Sequence, residues 1–200
     1  MLSHTVTSST VPTLPSSGTI SVKTYGAIPD DDKDDTDAIQ AAINAASPGQ
    51  WVVFPAGRYI QSRTINVNTA NVTLWGKDAT LHATNAADQA LQVKADGGRV
   101  YGFTLTAVTA GRRTEPWTSR LVSYGYNAAN GYISGTVFQG NKIVPVTTTA
   151  GTSTSNSASA AGILIVGTKN FTVVGNTVTR SLADGIHVTG ASQNGRVLNN

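Results

Sequence analysis

Apolar residues recur along this chain with two different periods. Between residues 38 and 46, Ala38, Ile39, Ala42, Ile43 and Ala46 fall at three- and four-residue intervals, the period of a helix with one apolar stripe. Asp35 or Thr36 is placed to cap its start, acids in the first turn suit its dipole, and Pro48-Gly49 ends it. Beyond that point the chain shortens to runs that read as strands, at 51–54, 58–60, 64–67, 72–75 and onward. Ahead of the helix, residues 1–19 are rich in Ser, Thr and Pro without an apolar period. They are expected to be a flexible leader, with the folded domain at 20–200.

One helix followed only by strands is not a βαβ alternation, so the choice lies between a β-sandwich and a solenoid. Internal repeats favour the solenoid. Thr172-Val173-Val174-Gly175-Asn176 aligns with Arg196-Val197-Leu198-Asn199-Asn200 at a spacing of 24, and Gly162-Ile163-Leu164-Ile165 aligns with Gly185-Ile186-His187-Val188 at 23. Leu74-Trp75-Gly76 and Val100-Tyr101-Gly102 lie 26 apart, and Gly140-Asn141 precedes Gly175-Asn176 by 35, with a Thr/Ser/Ala/Gly run at 147–159 as an inserted loop. Coils of this length stack so that their apolar faces join into one core. Alternation places Ile163, Ile165, Ile186 and Val188 inward and turns Leu164 and His187 outward. The recurring Asn suits a left-handed corner that hydrogen-bonds to the next coil.

Composition narrows the picture further. Charged residues make up only 12% of the chain, against about a quarter in ordinary domains, which favours β structure with polar turns over surface helices. There is no cysteine, hence no disulfide framework and no thiolate for catalysis or zinc. No run is long and apolar enough for a membrane span. Six of the eleven acids lie between Asp30 and Asp37, and from Ala38 onward twelve Lys and Arg face five acids. A basic β region attracts an acidic polymer; a solvated surface kept soluble by charge is the other reading. The Asp cluster lacks EF-hand spacing, so capping and turn formation explain it rather than a metal, and no cofactor is implied. Helix-turn-helix, RNA-binding and zinc motifs are missing, which argues against nucleic acid as the partner.

Three strings, Val22-Lys23-Thr24-Tyr25-Gly26-Ala27, then Asp34-Asp35-Thr36-Asp37-Ala38-Ile39-Gln40-Ala41-Ala42-Ile43, then Val53-Phe54-Pro55-Ala56-Gly57-Arg58-Tyr59-Ile60, resemble the opening of the pectate-lyase-like superfamily. The resemblance implies an all-β fold, a single-stranded right-handed parallel β-helix with an N-terminal capping α-helix. Lyases, glycoside hydrolases, epimerases and phage tailspikes share that opening. It implies a carbohydrate-active enzyme, a polysaccharide lyase or glycoside hydrolase, acting on an extracellular and acidic polysaccharide. The rival is a non-catalytic glycan-binding β-helix such as a tailspike-like adhesin, for which a homotrimer is the expected assembly.

Asp184-Gly185-Ile186 resembles part of the Asn-Thr-Asp-Gly segment of polygalacturonases, where the aspartate belongs to an inverting acid/base set. Leu182 and Ala183 precede it here, and His187 stands where that family has another acid. Asp184 and His187 are the catalytic candidates, since an outward imidazole serves as acid or base near neutrality; a turn aspartate and a ladder histidine are the structural alternatives. Arg112, Arg113 and Trp117 lie in one segment that ends at Arg120 and join carboxylate-clasping guanidinium groups to an indole face. With Lys169 and Arg180 they are the substrate-binding candidates, ordinary loop packing being the alternative. The chain stops at a corner position with no second cap. Further coils are therefore expected to complete the catalytic set, and the 200 residues alone are expected to show little turnover.

Overall fold

The computed structural model describes residues 10–84, 89–107, 119–125, 132–144, 161–179, 181 and 184–200. β1 (Thr19–Ser21) runs into a 3-10 turn (Val22–Tyr25), and α1 (Thr36–Ala45) follows the acidic turn. The first coil is β2 (Trp51–Val53), β3 (Gly57–Gln61) and β4 (Ile65–Val67), and the second is β5 (Thr73–Trp75), β6 (Ala79–Ala83) and β7 (Leu91–Val93). The third holds β8 (Arg99–Tyr101), β9 (Thr104–Ala107), β10 (Leu121–Tyr124) and β11 (Ile133–Ser134). In the fourth are β12 (Val137–Gln139), β13 (Lys142–Val144), β14 (Ile163–Val166) and β15 (Thr168–Lys169). β16 (Thr172–Val174), β17 (Thr177–Val178) and β18 (Ile186–Thr189) form the fifth, and β19 (Arg196–Leu198) opens another.

Corresponding strands of successive coils pair in parallel. Sheet A is β1-β2-β5-β8-β12-β16-β19, sheet B is β3-β6-β9-β13-β17, sheet C is β4-β7-β10-β14-β18, and β11 pairs with β15 at the corner from C to A. This is the single-stranded right-handed parallel β-helix, the hand being that of parallel crossovers generally. Each sheet sends apolar side chains inward in register, among them Val52, Leu74, Val100, Phe138 and Val173 from A, Tyr59, Leu81, Leu105 and Ile143 from B, Ile65, Leu91, Leu121 and Ile163 from C. All are buried, and Phe54 anchors the first coils edge-on against Phe103 (4.8 Å between ring centroids) and Tyr59 (5.7 Å).

The phase of the last repeat is as expected, with Ile163 opposite Ile186 and Ile165 opposite Val188. Ile163 and Ile165 are fully buried and Ile186 packs against the core, but Val188 is 43% exposed because no described coil lies over it. Leu164 points outward as alternation requires, yet it is only 4% exposed and joins Ala90, Val122, Val166 and Tyr124 in a second apolar cluster on the outer side of sheet C.

The corner from A to B corrects the role assigned to asparagine. The left-handed residue is the one before it, Gly140 (φ 64), Gly175 (φ 62) or Asn199 (φ 52). That frees Asn141, Asn176 and Asn200 to form a ladder. Asn141 N and Nδ2 both donate to Asn176 Oδ1 at 2.9 Å, and Asn176 N and Nδ2 donate to Asn200 Oδ1 at 3.0 and 2.9 Å. The Asn141 and Asn176 amides also donate to the carbonyls of Val100 and Phe138, so these buried side chains are satisfied.

α1 covers the first coil with Ile39, Ala42 and Ile43, which removes the open end of the barrel from water. Its capping differs from the expectation. Asp35 precedes the helix without a side-chain cap bond, because its carboxylate accepts instead from Ile28 N (2.8 Å) and Ile60 N (2.9 Å). Asp34 takes over, accepting from Thr36 N at 3.0 Å and from the Thr36 and Ser62 hydroxyls at 2.5 Å. Asp32 pairs with Arg58 and Asp37 with Arg63, so the acidic run ties the cap to coil one.

Residues 10–19, part of the expected leader, make contacts with the body of the helix. Thr19 already belongs to β1, Pro12 O accepts from Trp75 Nε1 at 2.9 Å, and Thr10 O accepts from Gln139 Nε2 at 2.6 Å. The backbone of this segment is held by donors on the outer side of sheet A.

Ile165→Ala should lower stability by about 2–5 kcal/mol, whereas Val188→Ala should cost below about 1 kcal/mol, both read from denaturant midpoints. A second expectation concerns acid. Burial pushes the Asp34 carboxyl up, but the Ser62 and Thr36 hydrogen bonds outweigh it and hold it below its ordinary value. The unfolded chain then binds the extra proton, so Asp34 contributes stability above about pH 4 that is lost as pH falls through its folded value. Unfolding midpoints between about pH 6 and 3 should fall less steeply for Asp34→Asn than for the parent.

Candidate functional site

The coil varies in length at one corner above all. From A to B the links stay short, at 102–103, 140–141 and 175–176, because the asparagine ladder occupies them. From B to C they run through 84–90, 108–120, 145–162 and 179–185. Insertions gathered on one side of a solenoid commonly form its binding face. Arg112, Arg113 and Trp117 belong to the link 108–120 and Arg180 to 179–185, and all four lie outside the described residues. Both links return to the barrel at the start of sheet C.

Asp184 and His187 stand at that point. Asp184 O accepts from Gly162 N (3.1 Å) and Gly185 O from Ile163 N (3.0 Å), which fixes the turn to coil four before β18 begins. Ser181 Oγ closes the same turn by donating to Asp184 O at 2.7 Å. Three residues on, His187 projects from the outer side of β18 beside Leu164, and its Nδ1 lies 2.5 Å from Asp184 Oδ2. The side chains are 42% and 56% exposed, so both are open to solvent. With Nδ1–H donating to the carboxylate, Nε2 is the free basic nitrogen, fixed in tautomer and direction.

The wall beside the imidazole is the outer apolar cluster of Ala90, Val122, Leu164 and Val166. Sequence alternation marked Leu164 only as outward; its burial depends on what the fold lays over sheet C. At the same corner are residues that sequence reasoning did not assign to the site. Arg120, the third arginine of its segment, is buried where β10 begins. Burial, with Arg58 and Arg120 nearby, pushes His82 below its ordinary value, and His82 Nδ1 lies 2.7 Å from Thr106 Oγ1. Gln61 and Gln89 brace the corner through the carbonyls of Ala90 and Ser62.

Lys169 is not brought to this place. It follows β14 at the corner from C to A, at the other end of sheet C, where its Nζ sits 4.2 Å over the Tyr132 ring and β15 pairs with β11. Among the described residues no three His, Asp or Glu side chains converge as a metal would require, and no helix is long and apolar enough to cross a membrane.

The family model for rhamnogalacturonase A/epimerase, pectate lyase-like, matches residues 19–193. A solved structure from Parabacteroides merdae ATCC 43184, provisionally classed as a glycosyl hydrolase, is similar with a TM-score of 0.51 at 16% identity, over 90% of this chain and 94% of that one. ORF18 of Geobacillus virus E2 is 21% identical with a TM-score of 0.37, over 79% of this chain and 39% of that one. The Agl-KA catalytic domain is 14% identical with a TM-score of 0.35, over 95% and 49%. No curated protein matches the sequence. A match that runs from β1 to the turn before β19 shows the family: the chain belongs to the rhamnogalacturonase A/epimerase group of pectate-lyase-like β-helices, and its role is a carbohydrate-active one.

Proposed function

We propose that the protein cleaves an extracellular acidic polysaccharide by elimination, with His187 as the base and Asp184 as the residue that orients it. The observation that carries this reading is the outward His187–Asp184 pair at 2.5 Å, at the start of sheet C. Nε2 takes the proton from the carbon that bears the uronate carboxylate. The electron pair left behind forms a carbon–carbon double bond as the neighbouring glycosidic C–O bond breaks, and the departing oxygen receives a proton. Such a step needs cations to neutralise the carboxylate. By residue type, Arg112, Arg113 and Arg180 are the candidates to supply them, and Trp117 is the candidate to stack on the sugar ring.

Inverting hydrolysis needs two carboxyl groups about 6.5–9.5 Å apart. Among the described residues Asp184 is the acid at this corner, while Asp88 and Glu115 belong to the links 84–90 and 108–120 and lie outside the described residues. What supports proton abstraction is the outward imidazole itself, oriented by a carboxylate. The same abstraction, with the proton returned to the opposite face of the carbon, would be epimerisation.

The test is incubation with a panel of uronate polymers, followed by ultraviolet absorbance of unsaturated uronate and by assay of new reducing ends. Slow product carrying both signals is expected. His187→Ala should reduce it by about 10²–10⁴, and Asp184→Asn by less, with a displaced pH profile. New reducing ends without unsaturation would make the protein a hydrolase. Retention of polymer with no product in any case would replace catalysis by glycan binding.

A further inference from the structure

Residues 10–16 read Thr-Val-Pro-Thr-Leu-Pro-Ser, and their exposure follows a period of three. Thr10, Thr13 and Ser16 face solvent, while Val11, Pro12, Leu14 and Pro15 are partly covered. Three residues per turn is the period of a polyproline II helix, and two apolar-Pro dipeptides three residues apart put one apolar ridge on one side of it. The surface under that ridge is an outward row of sheet A, in which Trp75, Tyr101 and Gln139 pair in register on three adjacent coils. Pro12 O accepts from the Trp75 indole and Thr10 O from the Gln139 amide. Between them a side chain at Gly102 would meet both methyls of Val11 at 3.1 Å. Tyr101 points outward and is nonetheless buried, at 6% exposed.

Aromatic rings, an indole N–H aimed at a peptide carbonyl and a shallow apolar slot are the means by which proteins recognise polyproline II segments. Such segments are favoured because a backbone already extended by proline loses little entropy on docking. Nothing in this arrangement uses the His187–Asp184 corner, which lies on sheet C. We propose that the outer side of sheet A is a recognition groove for the pattern apolar-Pro-x-apolar-Pro. The chain's own residues 10–15 are its resident occupant, and a separate peptide of that pattern binds the same groove when the resident segment is released. Covalent attachment keeps the local concentration of the segment high, so the groove stays filled in the intact chain.

The test uses the full chain with a protease site inserted between Ser16 and Ser17, folded first and nicked afterwards. The released-end fragment should co-elute with the body in gel filtration. A synthetic Thr10–Ser16 peptide should displace it, and the same peptide with Pro12 and Pro15 changed to Ala should not. Trp75→Phe combined with Gln139→Ala removes both donors and should speed release by about tenfold or more. Circular dichroism of that variant before nicking separates loss of the groove from loss of the fold, and Trp75→Phe alone serves if the double variant is unfolded. Immediate loss of the fragment from the nicked parent, equal retention by the donor variants, or equal displacement by the alanine peptide would overturn the proposal.

Discussion

Each inward side chain is covered only because the next coil repeats its position in parallel register. A strand of three residues cannot bury Val52 or Val173 by itself; the neighbours above and below do it, and the ladder of backbone hydrogen bonds sets their spacing at about 4.8 Å. The asparagine ladder is the strictest part of that register. Asn141 and Asn176 are buried and bond to two coils at once, so an extra residue at this corner would orphan several buried amide groups, at about 1–3 kcal/mol each. The larger length differences fall instead at the corner from B to C, whose links run through 84–90, 108–120, 145–162 and 179–185.

Charge is divided along the same axis. The acids from Asp30 to Asp37 are consumed by the cap: Asp35 closes the turn onto Ile28 and Ile60, Asp34 holds the helix start, and Asp32 and Asp37 meet Arg58 and Arg63. Burial pushes the Asp35 carboxyl up against the two backbone donors that stabilise its charge, a sign of how far the cap is withdrawn from water. With the acids spent there, the body of the β-helix keeps a cationic surplus, and the exposed carboxylate of Asp184 is left with an imidazole as partner.

The outer sides of the sheets are used differently from one another. On sheet C an apolar cluster lies beside His187, whereas on sheet A a row of donors and rings takes up the segment ahead of β1. Both are outward by alternation, and on both faces side chains such as Leu164 and Tyr101 are nonetheless buried.

Local rules made a good deal of this legible. The three-and-four spacing of Ile39, Ala42 and Ile43 specifies α1, and the paired repeats place Ile163 opposite Ile186, because a helix face and a strand face are properties of short sequence periods. The approach of His187 to Asp184 was half visible, as two suitable groups three residues apart around a turn. What the sequence could not decide by itself depends on separation along the chain. The docking of Thr10 against Gln139 spans 129 residues, and Lys169 and Asp184 lie at opposite ends of sheet C despite their nearness in sequence. The burial of Leu164 and the exposure of Val188 follow from which segment or coil lies over each, since alternation gives a side chain its direction and only the assembled coils decide whether water is there to meet it.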